Sequence, residues 1–537
     1  MTQYDYIIVG AGSAGCVLAD RLSEDGRNKI LVVEAGGSDR RLFIKLPIGY
    51  GRVFFDERVN WKFETEPDPA CDGRIGYWPR GKVLGGSSSI NALIYCRGLP
   101  EDFNDWRDGG APGWGWDDVR PHYEKIERKI AIDGSVQGDG PLWVTNVSDR
   151  AHRANRHFFN AAREIGLLET DDFNGDQPEG VGYYPITTKK GVRCSAADAF
   201  LRPALRRDNI TLMTKAHVQD VTFDGNQATG VTFLRDGKIE QIQARKEVIL
   251  CAGSVKSPQL LQLSGIGPGE LLKHYAVKII RENDNVGGNL QDHIAANYHY
   301  KATEPTVNNQ LAPWWGKVVA GLKYGLSRRG PLSLSVNQCG GFVRSGPSVM
   351  RPDMQLYFNP LSYTTAPEGK RPLVNPDPFP GFLICFQPTR PTSRGRIDIQ
   401  SPDASTAPKI TSNYLSTQKD QDDVVAGGRL VQSLVRTQGL KQLIQEPVDH
   451  QLDQFTDEEI LTDFRGRCST VFHPASTCAM GTDEKSSVVD LNLKVHGVVG
   501  LRVVDASVFP TVTSGNINAP TLMLAHKAAD AILKDSH

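Results

Sequence analysis

The chain opens on an apolar run, Tyr6 to Val9, followed by Gly10-Ala-Gly12-Ser-Ala-Gly15 and the helix-spaced apolar residues of "CVLADRLSE". A second apolar run, "KILVVEAGG", ends at Glu34. Short unbroken apolar runs flanking a helical pattern predict a strand, a helix and a strand in that order. The signal returns at "EVILCAGSVKSPQLLQLSG", where Val248 to Leu250 reads as a strand and a helix is predicted from near Ser257-Pro258. It returns at "GLRVVDASVFP", a predicted strand ending at Asp505. A last helix is predicted from about Thr521, where Leu522, Ala525, Ala529 and Ile532 keep roughly helical spacing. Between these blocks, about 296–464, the pattern is less regular and carries aromatic and proline-rich stretches such as "LAPWWGKVV" and "CFQPTRPTSRGRIDI".

A chain of 537 residues is long enough for two sizeable cores. Its formal net charge of −1 favours neither a nucleic acid nor an anionic membrane as main partner. No run of about 18 apolar residues argues for a spanning helix. The start runs straight into a strand, so no signal peptide is expected and a cytoplasmic enzyme is the default. Nine cysteines without a CxxC pair are expected to be reduced thiols.

The first glycines have a physical reading. Gly10 allows a tight turn, Gly12 lets a pyrophosphate approach the backbone, and Gly15 lets helix and strand pack closely. Ser13 and Ala14 open the helix whose N–H groups face phosphate. Glu34, with Ala35 after it, sits where an acid suits a ribose hydroxyl and repels a 2′-phosphate. NAD and FAD fit this much equally. A second segment, "YWPRGKVLGGSSSINALIYCRG", separates them: Gly81, Gly85 and Gly86 precede three serines and Asn91. Small residues at this density let backbone approach a diphosphate or a flat ring. A buried flavin needs such a segment and a plain NAD unit does not.

Together with "GSVKSPQLLQLSGIGP", "HPASTCAMG" and "VVDASVFPTVTSGNINAPTLMLAHKAADAI", these motifs resemble the glucose–methanol–choline oxidoreductases, nearest to the bacterial choline-dehydrogenase-like branch. The resemblance implies an α/β chain with a discontinuous Rossmann-like FAD-binding domain, 1–150, 200–295 and 465–537. A second, mixed-sheet substrate-binding domain is expected at 151–199 and 296–464. By motif position, Gly81, Val83, Gly86, Ser87, Asn91, Ala92 and Leu93 are expected around the flavin. Val218 is expected at the adenine, and Ala252, Gly253, Asp505 and Ala506 at strand ends facing the cofactor. Asn518, Pro520 and Thr521 are expected at the pyrimidine end, where helix N–H groups favour an anionic reduced ring. Relatives that bind FAD covalently carry a histidine where Ile90 stands here, so non-covalent FAD is expected.

In "RGRCSTVFHPASTCAMG", Cys468, His473 and Cys478 recur at five-residue intervals. Zinc needs about four ligands, usually closely paired, and no second cluster completes the set, so no metal is expected. A buried histidine that merely satisfies its own hydrogen bonds is the other plain reading. The resemblance gives a stronger one: His473 matches the family's catalytic histidine. An alcohol yields hydride readily only as its hydroxyl loses a proton, and an imidazole with an ordinary pKa near 6.5 suits that task. Asn516 matches the second catalytic position and is expected to hold the substrate oxygen. The implied activity is oxidation of a small-molecule alcohol to an aldehyde or ketone, hydride passing to flavin N5 and electrons on to dioxygen or a quinone-like acceptor. A lyase of the same family, acting on cyanohydrins without net redox change, is the alternative. A box for a choline-like cation could draw on Trp61, Trp314, Trp315 or Glu304.

Overall fold

The computed structural model describes residues 3–363, 375–448 and 451–535. Two seven-stranded sheets organise it. In the first, Ile210–Thr214, Ile30–Glu34, Tyr4–Val9, the end of Lys238–Leu250 and Leu501–Val503 lie side by side, every pair parallel. Tyr4–Val9 and Ile30–Glu34 are buried throughout, as largely apolar strands covered on both faces must be. The helices Ser13–Ser23 and Asn518–Asp535 cover this sheet and bury Leu18, Leu22, Leu522, Ala525, Ala529 and Ile532 in one core.

The strand expected at Val248–Leu250 is far longer. Lys238–Leu250 first pairs antiparallel with Gln227–Arg235, which pairs with His217–Asp224, and only its last residues enter the parallel sheet. The first half is largely exposed, so "KIEQIQARKE" carries no apolar alternation to reveal it. The helix expected from Ser257-Pro258 begins at Gly253, with Pro258 inside it. The final helix begins at Asn518 rather than Thr521.

The second sheet runs Ile444–Pro447, Ile294–Ala302, Gly381–Pro388, Met354–Asn359, Cys339–Val343 and Gly180–Tyr183, all antiparallel, with Ser469–Thr470 beside Ile294–Ala302. Side chains alternate between its faces. Met354, Leu356 and Phe358 join Phe382, Ile384 and Phe386 in a core shared with the helices Asn155–Glu164 and Gln418–Val435. Tyr357 and Asn359 face the opposite way, into a cavity. Both faces are buried, and "MQLYFN" alternates between them, Met354, Leu356 and Phe358 on the core side and Gln355, Tyr357 and Asn359 on the other.

No helix among the described residues is long and apolar enough to cross a membrane.

Candidate active site

A cavity of about 540 Å³ separates the two sheets. Val9, Glu34, Ala216, Cys251 and Asp505, at or just past the C-terminal ends of the five parallel strands, all line it. That is the end of an open parallel sheet where ligands bind. Ala295, Asn297, Tyr357, Asn359 and Cys385 of the second sheet form the opposite wall.

The residues expected around a cofactor converge here from seven stretches of chain. Gly10, Gly12, Ser13, Ala14, Glu34, Ala35, Gly81, Gly86, Ser87, Asn91, Ala92 and Leu93 line the cavity. Val218, Ala252, Gly253, Asp505, Ala506, Asn518 and Thr521 line it too. Gly15, Val83 and Pro520 do not. Gly15 packs so closely on Gly10 that a Cβ would come 1.9 Å from its carbonyl oxygen. Val83 is fully buried behind the glycine segment and bridges to Gly37. Pro520 is buried in the first turn of the last helix.

The cradle fits a dinucleotide. The two glycine segments touch, since a Cβ on Gly86 would meet the Gly12 Cα at 2.7 Å. A Cβ on Gly12 would meet nothing closer than 3.9 Å, which leaves its cavity side open to a diphosphate. The helices starting at Ser13 and Asn518 both begin at the cavity, and the Ser13 hydroxyl donates to Asn518 Oδ1 at 2.8 Å, tying the two N-termini together. Glu34 accepts from the N–H groups of Ala11 (2.8 Å) and Gly36 (2.7 Å), which leaves carboxylate lone pairs for ribose hydroxyls. Burial pushes its pKa up to about 7. Asp505, at the cavity, also holds the chain: it accepts from Gly253 N, Ser257 Oγ and Ser507 N. The Thr521 hydroxyl donates to the Ile517 carbonyl. Ile90 is buried, lines the cavity and packs with Tyr50 and Val83.

Arg193 was not foreseen. Its fully buried guanidinium donates to the carbonyls of Ile44, Ser88 and Asn91 and to Asn91 Oδ1, clamping the second glycine segment in place. Burial lowers its pKa to about 9. Nothing in "GVRCSAAD" distinguishes this arginine from an exposed one.

His473 lies just beyond the short strand Ser469–Thr470, on a bend where Phe472 adopts a left-handed φ of 70°. Three contacts hold the bend: Arg80 donates to the Phe472 carbonyl at 2.7 Å, Phe472 N donates to Thr470 Oγ1 at 2.8 Å, and His473 N donates to Asp292 Oδ1 at 2.8 Å. Asp292 also accepts from the hydroxyls of Thr470 (2.5 Å) and Tyr414 (2.6 Å). The next residue, His293, grips the imidazole, Nδ1 to Nδ1 at 3.1 Å.

These contacts fix a tautomer. His293 Nε2 lies 2.8 Å from the Thr389 carbonyl, which can only accept, so Nε2 carries the proton and Nδ1 is an acceptor. His473 must then donate from Nδ1, leaving a lone pair on Nε2. The Asn516 amide N–H lies 3.1 Å from that nitrogen, and Gln355 donates at 3.4 Å to Asn516 Oδ1, orienting the amide. Burial, His293 and Arg80 hold the His473 pKa well below 6.5, and burial lowers His293 to about 4. The Asp-His pair at the head of a strand in "LQDHIAANYHY" was the one signal that could have pointed to both residues.

No group of three or more His, Cys, Asp or Glu able to hold a metal occurs among the described residues. Cys468 faces Cys71, Sγ to Sγ at 3.5 Å, and Cys478 is fully buried. Of the suggested cation-box residues, Trp314, Trp315 and Glu304 do not line the cavity. Trp61 lines the cavity beside His217, their rings 5.3 Å apart, near Val218. Glu304 pairs with Arg156 at 2.6 Å, and Trp314 and Trp315 face outward. The cavity that His473 lines also carries Tyr50, Phe54, Tyr357, Tyr363 and Phe472, with Asn337 and Asn359.

The description GMC oxidoreductase matches residues 4–295 and 391–525 through two family models. Over 99% of its length the chain is 39% identical to an oxygen-dependent choline dehydrogenase of Photobacterium profundum, covering 93% of that protein. It is 37% identical, again over 99% of its length and 96% of the relative, to an alcohol dehydrogenase (acceptor) of Pseudomonas putida. The crystal structure of pyridoxine 4-oxidase from Mesorbium loti superposes with a TM-score of 0.88 at 28% identity, covering 100% of both chains. With a dinucleotide cradle and a buried histidine on one cavity, the chain belongs to the GMC oxidoreductase family and is an FAD-dependent enzyme of the alcohol dehydrogenase or oxidase kind.

Proposed function

We propose that His473 is the base that takes the hydroxyl proton of an alcohol bound over a non-covalently held FAD. The observation that carries this reading is the chain from the Thr389 carbonyl through His293 to His473, which leaves an unprotonated Nε2 on the cavity side. Bound FAD supplies the acceptor for the hydride that leaves the substrate carbon. The Asn516 N–H donates to the substrate oxygen as negative charge gathers there, and its partner Gln355 keeps the amide turned that way. Proton transfer to Nε2 makes an imidazolium whose Nδ1–H remains bonded to His293. The ring therefore need not turn during the step. The helix start at Asn518 and the clamp on Asn91 support the positions assigned to the cofactor. Electrons leave to dioxygen or a quinone-like acceptor.

The wall near His473 is aromatic and amide, and the carboxylates lining the cavity among the described residues are Glu34 and Asp505, both at strand ends of the first sheet. The substrate we infer is an alcohol with an apolar body, or a soft cation held by ring faces. The relatives reported above are dehydrogenases and an oxidase and lend no support to a lyase. The test is anaerobic bleaching of the yellow protein by a panel of choline, aryl, pyridoxine-like and long-chain alcohols, followed by admission of air. Bleaching by at least one alcohol is expected; a flavin left oxidised by all of them refutes the reading. Rapid recolouring in air identifies dioxygen as acceptor.

A further inference from the structure

The helix Trp314–Ser327 is apolar on two opposite faces. Inward, Gly316, Ala320 and Tyr324 are buried, and Ala320 packs with Tyr50 and Val336, which line the cavity. Outward, Trp314, Trp315, Val318, Val319, Leu322 and Leu326 stand exposed, from 52% for Val318 to 89% for Leu326. At about 100° per residue these six fall within an arc of roughly 140°. So many large apolar side chains on one exposed helix face mark an interaction surface.

Charge selects the partner. From Pro305 to Pro352 the chain has no Asp or Glu and six Lys or Arg. Two of the six, Arg344 and Arg351, pair with Glu179 and Asp105. The other four, Lys317, Lys323, Arg328 and Arg329, are exposed; the lysines flank the apolar arc and the arginines follow the last turn. A second copy docking face to face would oppose these cations with its own. Phospholipid headgroups of negative charge satisfy them, while the tryptophans and aliphatic side chains enter the boundary between headgroup and acyl chain.

We propose that this helix seats the protein, lying in the plane of the interface, on an anionic phospholipid bilayer. The net charge of −1 conceals this because the balancing carboxylates lie elsewhere in the chain. The seat puts the cavity wall formed by Tyr50 and Val336 next to the bilayer. Its benefit, access to an apolar alcohol or a quinone-like acceptor dissolved in lipid, rests on the function proposed above; the binding itself does not.

The test is co-sedimentation of the FAD-loaded protein with sucrose-filled vesicles of phosphatidylglycerol and phosphatidylcholine, and of phosphatidylcholine alone. Binding to the anionic vesicles is expected, weakened by salt, with far less on neutral ones. Leu322→Glu and the double change Trp315→Ser/Val319→Glu should each lower binding at least roughly tenfold, with FAD content and alcohol bleaching unchanged. The proposal is overturned if the protein stays in the supernatant with anionic vesicles, or if these variants bind like wild type. It is equally overturned if the face pairs two copies instead, read as a doubled mass in solution that Leu322→Glu halves. Vesicle binding by a protein that no alcohol bleaches would uphold this inference and refute the catalytic one.

Discussion

Asn516 and His473 meet at 3.1 Å, amide N–H to imidazole Nε2, although 43 residues separate them in the chain. The amide can donate but cannot take a proton, and the ring can do the reverse, so the two should fail differently. His473→Ala is expected to slow flavin reduction by on the order of 10²–10⁴-fold with the FAD retained. Asn516→Ala should cost on the order of 10²–10³-fold, the scale of one lost oxyanion donor. Stopped-flow bleaching separates them: His473→Ala reducing flavin at a near-normal rate would remove the base from the scheme.

His293 touches neither cavity nor ligand in this reading; it acts by holding a tautomer. His293→Leu leaves His473 Nδ1 without its acceptor and should lower the reduction rate by about 10–100-fold, with FAD content unchanged. His293→Gln, whose carbonyl oxygen can accept from Nδ1–H, should recover part of the loss. Equal rates for the leucine and glutamine variants would argue that only packing matters at this position.

The base must be neutral to work. Burial, His293 and Arg80 depress the His473 pKa, so the neutral form persists as pH falls through 6.5 and is lost only well below it. The acid limb of kcat/KM should therefore lie below 6.5, with a plateau at and above neutrality. A limb at or above 6.5, assigned by its absence from residual activity in His473→Ala, contradicts the buried environment described here.

Non-covalent FAD is the expectation at Ile90, a side chain with no nucleophile, packed with Tyr50 and Val83. Acid precipitation should send all the yellow colour into the supernatant. Colour that stays in the pellet would show a covalent link made elsewhere on the cavity wall.

Much of this site was legible before any fold was known, because its chemistry depends on local backbone. The turn Gly10–Gly15, the acid ending the second strand and the small-residue segment at Gly81–Asn91 are short-range features, and each came out facing the cavity or packed directly beneath it. His473 and Asn516 were legible through their motifs. Arg193 and His293 were not, since their importance comes from partners more than 90 residues away. The second sheet was equally hidden, its strands being short, buried throughout and paired across distant parts of the chain.

The sequence by itself determined the cradle: glycine spacing and strand-end acidity are properties of a few adjacent residues, and the nucleotide chemistry follows from them. Only the tertiary structure decided which nitrogen of His473 is unprotonated. A tautomer is set by what stands opposite the other nitrogen, and the groups that set it, His293 and through it Thr389, reach the site from other strands of the same sheet, far off in the sequence.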